Sequence, residues 1–164
     1  MSERIETAAL RDFSVSLCRA AGLSADDAVL LTDSILFAEC RGVTSHGLLR
    51  LPQYIARLRS GATASNVPMP FTMESGGTAR LDAQNGLGQL AGRKASDKAE
   101  ELAAKYGVSF VAVANSNHFG TGAWYAIPAA RRGFFAFNIS SAASAMAPHG
   151  AAQPLLGTDP VGLA

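Results

Sequence analysis

The sequence predicts an α/β protein in which an amino-terminal helical region precedes a mixed α/β sheet domain. Three observations carry this. Apolar residues recur near a helical period in the first third of the chain, at Ile5, Leu10, Phe13 and Leu17 and again at Val29, Leu30, Ile35, Leu36 and Phe37. From Thr78 the pattern changes to short β-prone runs alternating with helical ones, which favours a sheet with helical crossovers. With 164 residues, 48% of them hydrophobic, the chain has enough apolar material for a real core.

The opening stretch "MSERIETAALRDF" carries charges and a helical period but no apolar signal-peptide core. The second helix starts at Ser24, with Asp26 and Asp27 in its first turn facing the positive end of the helix dipole, and stops at Gly42. A third helix covers about Leu51 to Arg59, with Pro52 in its first turn and Gly61 beyond its end. The segment "ATASNVPMPFTMESGG" then reads as a connection, for which an extended conformation is open. After it come the strand "TARLDA", the helix "GLGQLAGRKASDKAEELAAKYG" closed by Gly107, the buried strand "VSFVAVAN", the helix "GAWYAIPAARRG" closed by Gly133, and the strand "FFAFNIS". The chain ends on "LLGTDPVGLA", a turn followed by what reads as the opening of another strand. The expected division is a helical region over 1–75 and the sheet domain over 76–164.

Charge narrows the function. Fourteen Lys and Arg against thirteen Asp and Glu give a formal net charge of +1, with no long run of either sign, so neither nucleic acid nor a membrane surface is an expected partner. The longest apolar run, Val108 to Ala114 with one serine in it, is far too short to span a bilayer. A cytoplasmic protein is expected. Cys18 and Cys40 lie in helical patterns without CxxC spacing and are expected to be buried thiols with no disulfide or metal role.

Three segments carry candidate chemistry. In "NGLGQLAG", Gly86, Gly88 and Gly92 open a helix after a strand, but the third spacing misses the G-x-G-x-x-G fingerprint and the next strand ends in Asn115 rather than an acid. An ordinary helix start is the better reading. In "NSNHFGTG", Asn115 to Gly122, the loop lies at the carboxyl end of a strand, where open α/β sheets bind ligands, and precedes a helix whose N–H groups suit phosphate. A polar turn with a surface histidine explains the same residues equally well. In "CRGVTSHGLLRLPQYIARLRSG", Thr44, Ser45 and His46 stand between two glycines, with Arg50 four positions after the histidine. A serine hydrolase built on Ser45 and His46 is disfavoured, because no strand leads into a G-x-S-x-G elbow. Zinc on His46, His118 and His149 is disfavoured too, because the three are scattered and none falls in an H-x-x-x-H pair. No metal is expected. A third reading pairs His46 as proton donor with Arg50 as carboxylate clamp, as reduction of a 2-oxo acid requires, and a capped helix start carrying a solvent-facing imidazole accounts for the same residues.

Four motifs in order, "RGVTSHGLLRLPQYIARLRSG", "LDAQNGLGQLAG", "VANSNHFGTGAWYA" and "LLGTDPVGLA", resemble the malate and L-lactate dehydrogenase type-2 family from about residue 5 to residue 164. That family also holds ureidoglycolate, sulfolactate and 2,3-diketogulonate oxidoreductases and the Δ1-piperideine-2-carboxylate reductases. The resemblance implies a non-Rossmann NAD(P)-binding fold and hydride transfer between NAD or NADP and C2 of a small 2-hydroxy, 2-oxo or cyclic 2-imino acid. It implies His46 as proton donor or acceptor, Ser45 as its hydrogen-bonding neighbour, and Arg50 and Thr158 as substrate contacts. His118, Phe119, Gly120, Thr121 and Gly122 would contact the cofactor, with Ser140 or Ser141 close to it. His118 is the second choice for the acid/base role, since some members assign it to the "NHFG" histidine. A homodimer is the expected assembly.

Two departures stand out. This chain has "MAPHGAA" where many relatives have something like "MAPWGG", which puts His149 and two alanines near the implied pocket. The family is also roughly twice this length, which makes the expected fold incomplete at the carboxyl end and residues 76–164 the first part of a cofactor-binding domain. The competing expectation is a catalytically inactive truncated fragment that keeps an oligomerisation or partial ligand-binding surface.

Overall fold

The computed structural model describes residues 4–164, so the first three positions of the expected helical region lie outside the described residues. Two compact units divide the chain, residues 1–121 and 122–164. In the first, helices α1 (Thr7–Ala20), α2 (Ala25–Glu39) and α3 (Leu51–Arg59) follow one another, and two short 3₁₀ turns, Thr44–His46 and Leu48–Arg50, fill the link between α2 and α3. Ser24 caps α2 by accepting the Asp27 N–H, and Gly42 turns the chain away from it at φ +74°. Arg11 on α1 forks onto both carboxylate oxygens of Asp33 on α2, at 2.6 and 3.0 Å. Beneath this pair Cys18, Ala28, Leu31, Ile35, Leu51, Tyr54 and Leu58 form one apolar cluster, which Leu87 also enters.

The rest of the first unit is a three-stranded sheet in the order β1 (Phe71–Ser75), β2 (Thr78–Asp82), β3 (Phe110–Ala114), with α4 (Gly88–Tyr106) as the crossover. Strands β1 and β2 form an antiparallel hairpin; β2 and β3 are parallel. The 75/76 boundary falls in the β1–β2 turn. Helix α4 ends at Gly107, whose φ of +84° favours a residue without a side chain. A second apolar cluster, Met69, Leu81, Ala83, Ala91 and Ala95, fills the space between helix and sheet.

Three expectations need correction. The segment around "FTMES" is a strand and not only a connection, because its partner β2 supplies the ladder that a local reading cannot see. The strand "VSFVAVAN" is not buried: β3 lies at a sheet edge, and Phe110 is 64% exposed and Val113 39%. Cys18 is buried as expected, but Cys40 stands at the end of α2 and is exposed.

The second unit holds α5 (Ala123–Arg131) and a two-stranded antiparallel sheet of β4 (Phe137–Ile139) and β5 (Val161–Leu163). The alternation of strands and helices therefore does not continue into one sheet, since β4 pairs with β5 and not with the first three strands. The terminal "VGL" is a strand, as expected. Gly162 lies against the Asn138 side chain, where a Cβ would collide with the amide. No helix among the described residues is long and apolar enough to cross a membrane.

Leu31 has no exposed surface. Leu31→Ala should cost about 2–5 kcal/mol by leaving a cavity between the helices. A urea unfolding midpoint that falls at unchanged slope checks this.

Candidate active site

The site forms where α3, the start of α4 and the two loops at the carboxyl ends of β2 and β3 come together. The chain reaches it through a constrained approach. After α2, the Glu39 carboxylate accepts the Leu48 N–H at 2.9 Å, pinning the second 3₁₀ turn to the preceding helix. Gly47 is buried against that carboxylate, and a Cβ there would overlap Glu39 Oε2. This accounts for the glycine that follows His46. The two 3₁₀ turns also replace the single helix on which His46 and Arg50 would share a face, yet the residues remain together. Arg50 Nε donates to the Ser45 carbonyl at 2.7 Å and Nη1 donates to Gln53 Oε1 at 3.1 Å. Ser45 Oγ lies 2.9 Å from His46 Nδ1.

The loop after β3 meets this arrangement from the other side. Asn115 ends the strand in the left-handed region at φ +53°, and its amide donates to Asp82 Oδ1 at the end of β2. That bond, with the Gln84 N–H on the same carboxylate, holds the Asp82 pKa below its ordinary value. Asn117 then laces the two loops, its Nδ2 donating to Asn85 O, Asn85 Oδ1 and Gly86 O at 2.9–3.0 Å. Arg57 from α3 donates to Asn117 Oδ1 at 2.9 Å and to Thr63 Oγ1 at 3.1 Å. Gly88, the first residue of α4, packs on the carbonyls of Asn117 and His118 so closely that a Cβ could not fit. The glycine-rich helix start thus serves to seat the "NHFG" loop.

These contacts bring His118 onto His46. Their rings stack with centroids 5.4 Å apart and planes inclined by 27°. Tyr54 on α3, 4% exposed, places its hydroxyl 2.7 Å from His118 Nδ1, and Gln89 Nε2 donates to the same hydroxyl at 2.7 Å. Gln89 is 1% exposed, and its Oε1 is buried with no hydrogen-bond partner among the described residues. A cavity of about 130 Å³ is lined by Arg50, Tyr54, Arg57, Leu87, Asn117 and His118, together with Gln53 and Thr63.

The electrostatics distinguish the two rings. His118 keeps solvent access, yet desolvation of its ring, followed by the nearby His46 and Arg50 charges, lowers its pKa from 6.5 to about 4. His46 is lowered from 6.5 by desolvation and then by Arg50. Burial pushes the Tyr54 phenol up to about 12, so it remains a hydroxyl across the physiological range. The stacked pair therefore has a neutral resting state and an arginine beside it, suited to holding an anion and exchanging one proton.

Of the residues singled out from the sequence, Ser45, His46, Arg50 and His118 come together here, with Phe119, Gly120 and Thr121 continuing the loop; Gly120 adopts φ +80°. Gly122 begins the second unit, as N-cap of α5, and its carbonyl accepts a bond from the Asn138 amide. Within that unit Ser140 and Thr158 stand on facing backbone runs: the Ser140 N–H donates to Pro160 O, and Asp159 Oδ1 accepts the Ala142 N–H. Ser141 lies between, its carbonyl accepting the Ser140 hydroxyl. His149 also belongs to the second unit and is exposed. Tyr54, Arg57, Gln89 and Asn117 went unnoticed in the sequence. Tyr54 hides in the apolar period of α3, and the one available sign of Gln89 is a polar residue among Leu87, Leu90 and Ala91.

The family model described as malate/L-lactate dehydrogenase matches residues 5–164. A malate dehydrogenase of Pyrococcus abyssi is 35% identical over 161 residues, covering 98% of this chain and 44% of that relative. A (2R)-3-sulfolactate dehydrogenase (NADP(+)) of Chromohalobacter salexigens is 35% identical over 164 residues, covering 100% of this chain and 49% of that relative. Among solved structures, malate dehydrogenase from Pyrococcus horikoshii OT3 superposes with a TM-score of 0.94 at 31% identity, covering 98% of this chain and 46% of that one. The chain spans about half the length of the relatives it matches.

Because His118 is held neutral in the fold, the unfolded chain binds its proton more readily. The His118 contribution to stability is present above about pH 6.5 and lost progressively as pH falls towards about 4. Histidine NMR titration should give a His118 midpoint near 4, and Tyr54→Phe, which removes the hydroxyl 2.7 Å from Nδ1, should move that midpoint.

Proposed function

This chain belongs to the malate/L-lactate dehydrogenase family, and from that premise we propose that a protein of the relatives' length carrying it is a nicotinamide-dependent oxidoreductase. Its reaction is hydride transfer between the cofactor and C2 of a small 2-hydroxy or 2-oxo acid, or a cyclic 2-imino acid. The observation that carries this reading is the stacked His46–His118 pair at 5.4 Å, whose His118 lines the same cavity as Arg50. A proton carrier and an anion clamp on a small cavity are what such a substrate needs from the protein.

Arg50 commits its Nε to Ser45 O and one Nη1 hydrogen to Gln53 Oε1, which fixes the guanidinium plane and leaves its remaining N–H groups as the donors for a substrate carboxylate. His46 is the acid/base residue: its lowered pKa makes the neutral ring the resting form, ready to take the hydroxyl proton in the oxidation direction and to return it in reduction. Ser45 orients that ring through Nδ1. The loop His118–Thr121 fits a nicotinamide cofactor, because it is partly open, offers peptide groups beside a glycine at φ +80°, and carries no charged side chain of its own apart from a histidine held neutral. His118, Phe119, Gly120 and Thr121 would hold the cofactor, with Gly122 next in the chain; Thr158 for substrate and Ser140 or Ser141 for cofactor follow from the motifs of the second unit. The bound cofactor supplies or accepts the hydride. NAD and NADP are both compatible with this set, and the NADP(+) in the name of the Chromohalobacter salexigens relative favours testing both. We further infer a cytoplasmic homodimer, in line with the family resemblance.

The test is nicotinamide absorbance with a panel of 2-oxo and 2-imino acids and both cofactors, using the full-length protein. His46→Ala should lower kcat by about 10²–10⁴-fold, the usual scale for a positioned acid/base group. Activity within a few fold of wild type would transfer the role to His118. Arg50→Lys should raise the KM for the acid while leaving cofactor affinity unchanged, since a point charge replaces a fork. An unchanged KM would reduce Arg50 to a packing residue.

A further inference from the structure

The hydrogen-bond chain behind His118 has a fixed direction. Gln89 Nε2 is an amide N–H and can only donate, so at 2.7 Å it occupies a lone pair of the Tyr54 oxygen. The one phenolic proton is then directed to His118 Nδ1, also at 2.7 Å. The Gly120 backbone N–H approaches the same Nδ1 at 3.4 Å. A peptide N–H has no other polarity, so it marks Nδ1 as an acceptor independently of how the glutamine amide is turned. Were the amide reversed, Gln89 would take the Tyr54 proton, Nδ1 would have to carry one, and the Gly120 N–H would face another N–H.

We propose that Gln89 and Tyr54 are positioning residues that lock His118 in the neutral tautomer protonated at Nε2, leaving His46 as the ring of the stacked pair that carries the exchanged proton. This rests on the oxidoreductase reading of the same site. Stacked 5.4 Å apart and beside Arg50, the two imidazoles cannot both be charged without strong repulsion. A pair in which either ring takes the proton would divide its population between a productive and an unproductive state. The lock removes that division: an Nδ1 that already accepts from Tyr54 would lose that bond on protonation. His118 is left with an Nε2–H, a neutral donor able to polarise a carbonyl or hold a cofactor amide without transferring its proton. The cost is the unpaired Gln89 Oε1 in the interior.

The chain has three histidines, so ring ¹⁵N signals are readily assigned in the full chain. At neutral pH His118 Nδ1 should give the resonance of an unprotonated ring nitrogen and Nε2 that of a protonated one. Gln89→Glu keeps the shape but presents a carboxylate with no proton to give, so it should accept from Tyr54 and move the His118 proton to Nδ1. Tyr54→Phe should leave the two tautomers in exchange. In the full-length enzyme Gln89→Glu should lower kcat about 10- to 100-fold, as loss of an orienting partner does, with little change in KM. A protonated Nδ1 in the wild-type protein, or a ¹⁵N pattern untouched by Gln89→Glu, overturns the lock even if hydride transfer is intact. The expected pattern in a protein that turns over no 2-oxo or 2-imino acid would instead uphold the lock and defeat the oxidoreductase reading.

Discussion

The Tyr54 hydroxyl is the point on which the site depends. It is the one polar atom of α3's buried face, and it joins that helix to the start of α4 through Gln89 and to the loop after β3 through His118. Each of these segments belongs to a different part of the first unit, and apolar packing alone would leave their relative register loose by more than a catalytic geometry tolerates. Two hydrogen bonds of 2.7 Å remove that looseness. The polar group is buried at a cost, and the cost is met because both of its bonding directions are filled.

Around it, small residues act as spacers. Gly47 lets the first histidine's turn lie on Glu39, and Gly88 lets the second histidine's loop lie on a helix start. Neither glycine is needed for backbone freedom, since neither takes a positive φ. Both are needed because something polar occupies the space of their missing Cβ. The two histidines therefore approach each other on supports fixed from opposite sides, one from α2 and the other from α4. Arg57 and Asn117 complete the arrangement by tying the "NHFG" loop to the end of α3 and to the loop after β2.

What could be read in the sequence followed from how local the causes were. Helix limits at Ser24, Gly42, Pro52, Gly61 and Gly107 depend on caps and backbone sterics within a turn, and they stand in the structure where the residues indicate. The proximity of Ser45, His46 and Arg50 is equally local. Strand β1 was hidden because its evidence is a cross-strand partner, and the exposure of β3 because apolar composition reports what a strand prefers and not what covers it. Tyr54 and Gln89 were hidden for another reason. A tyrosine at a core period looks like packing, and a glutamine at a helix start looks like solvent; only the fold turns each toward the other.

The sequence distances inside this site have a consequence for the order of folding. Tyr54 and His118 are 64 residues apart, Arg57 and Asn117 60, Tyr54 and Gln89 35. The helices and the β2–α4–β3 crossover can each gather their own local contacts first, whereas these bonds close large loops and repay their entropy only when both halves are already built. Loop-closure entropy thus predicts that the histidine pair assembles late, by docking of pieces that have already gathered their local contacts. A chain arrested just before that docking would have most of its secondary structure but not the apolar cluster that joins Tyr54 to Leu87, and its two imidazoles would still belong to separate bodies.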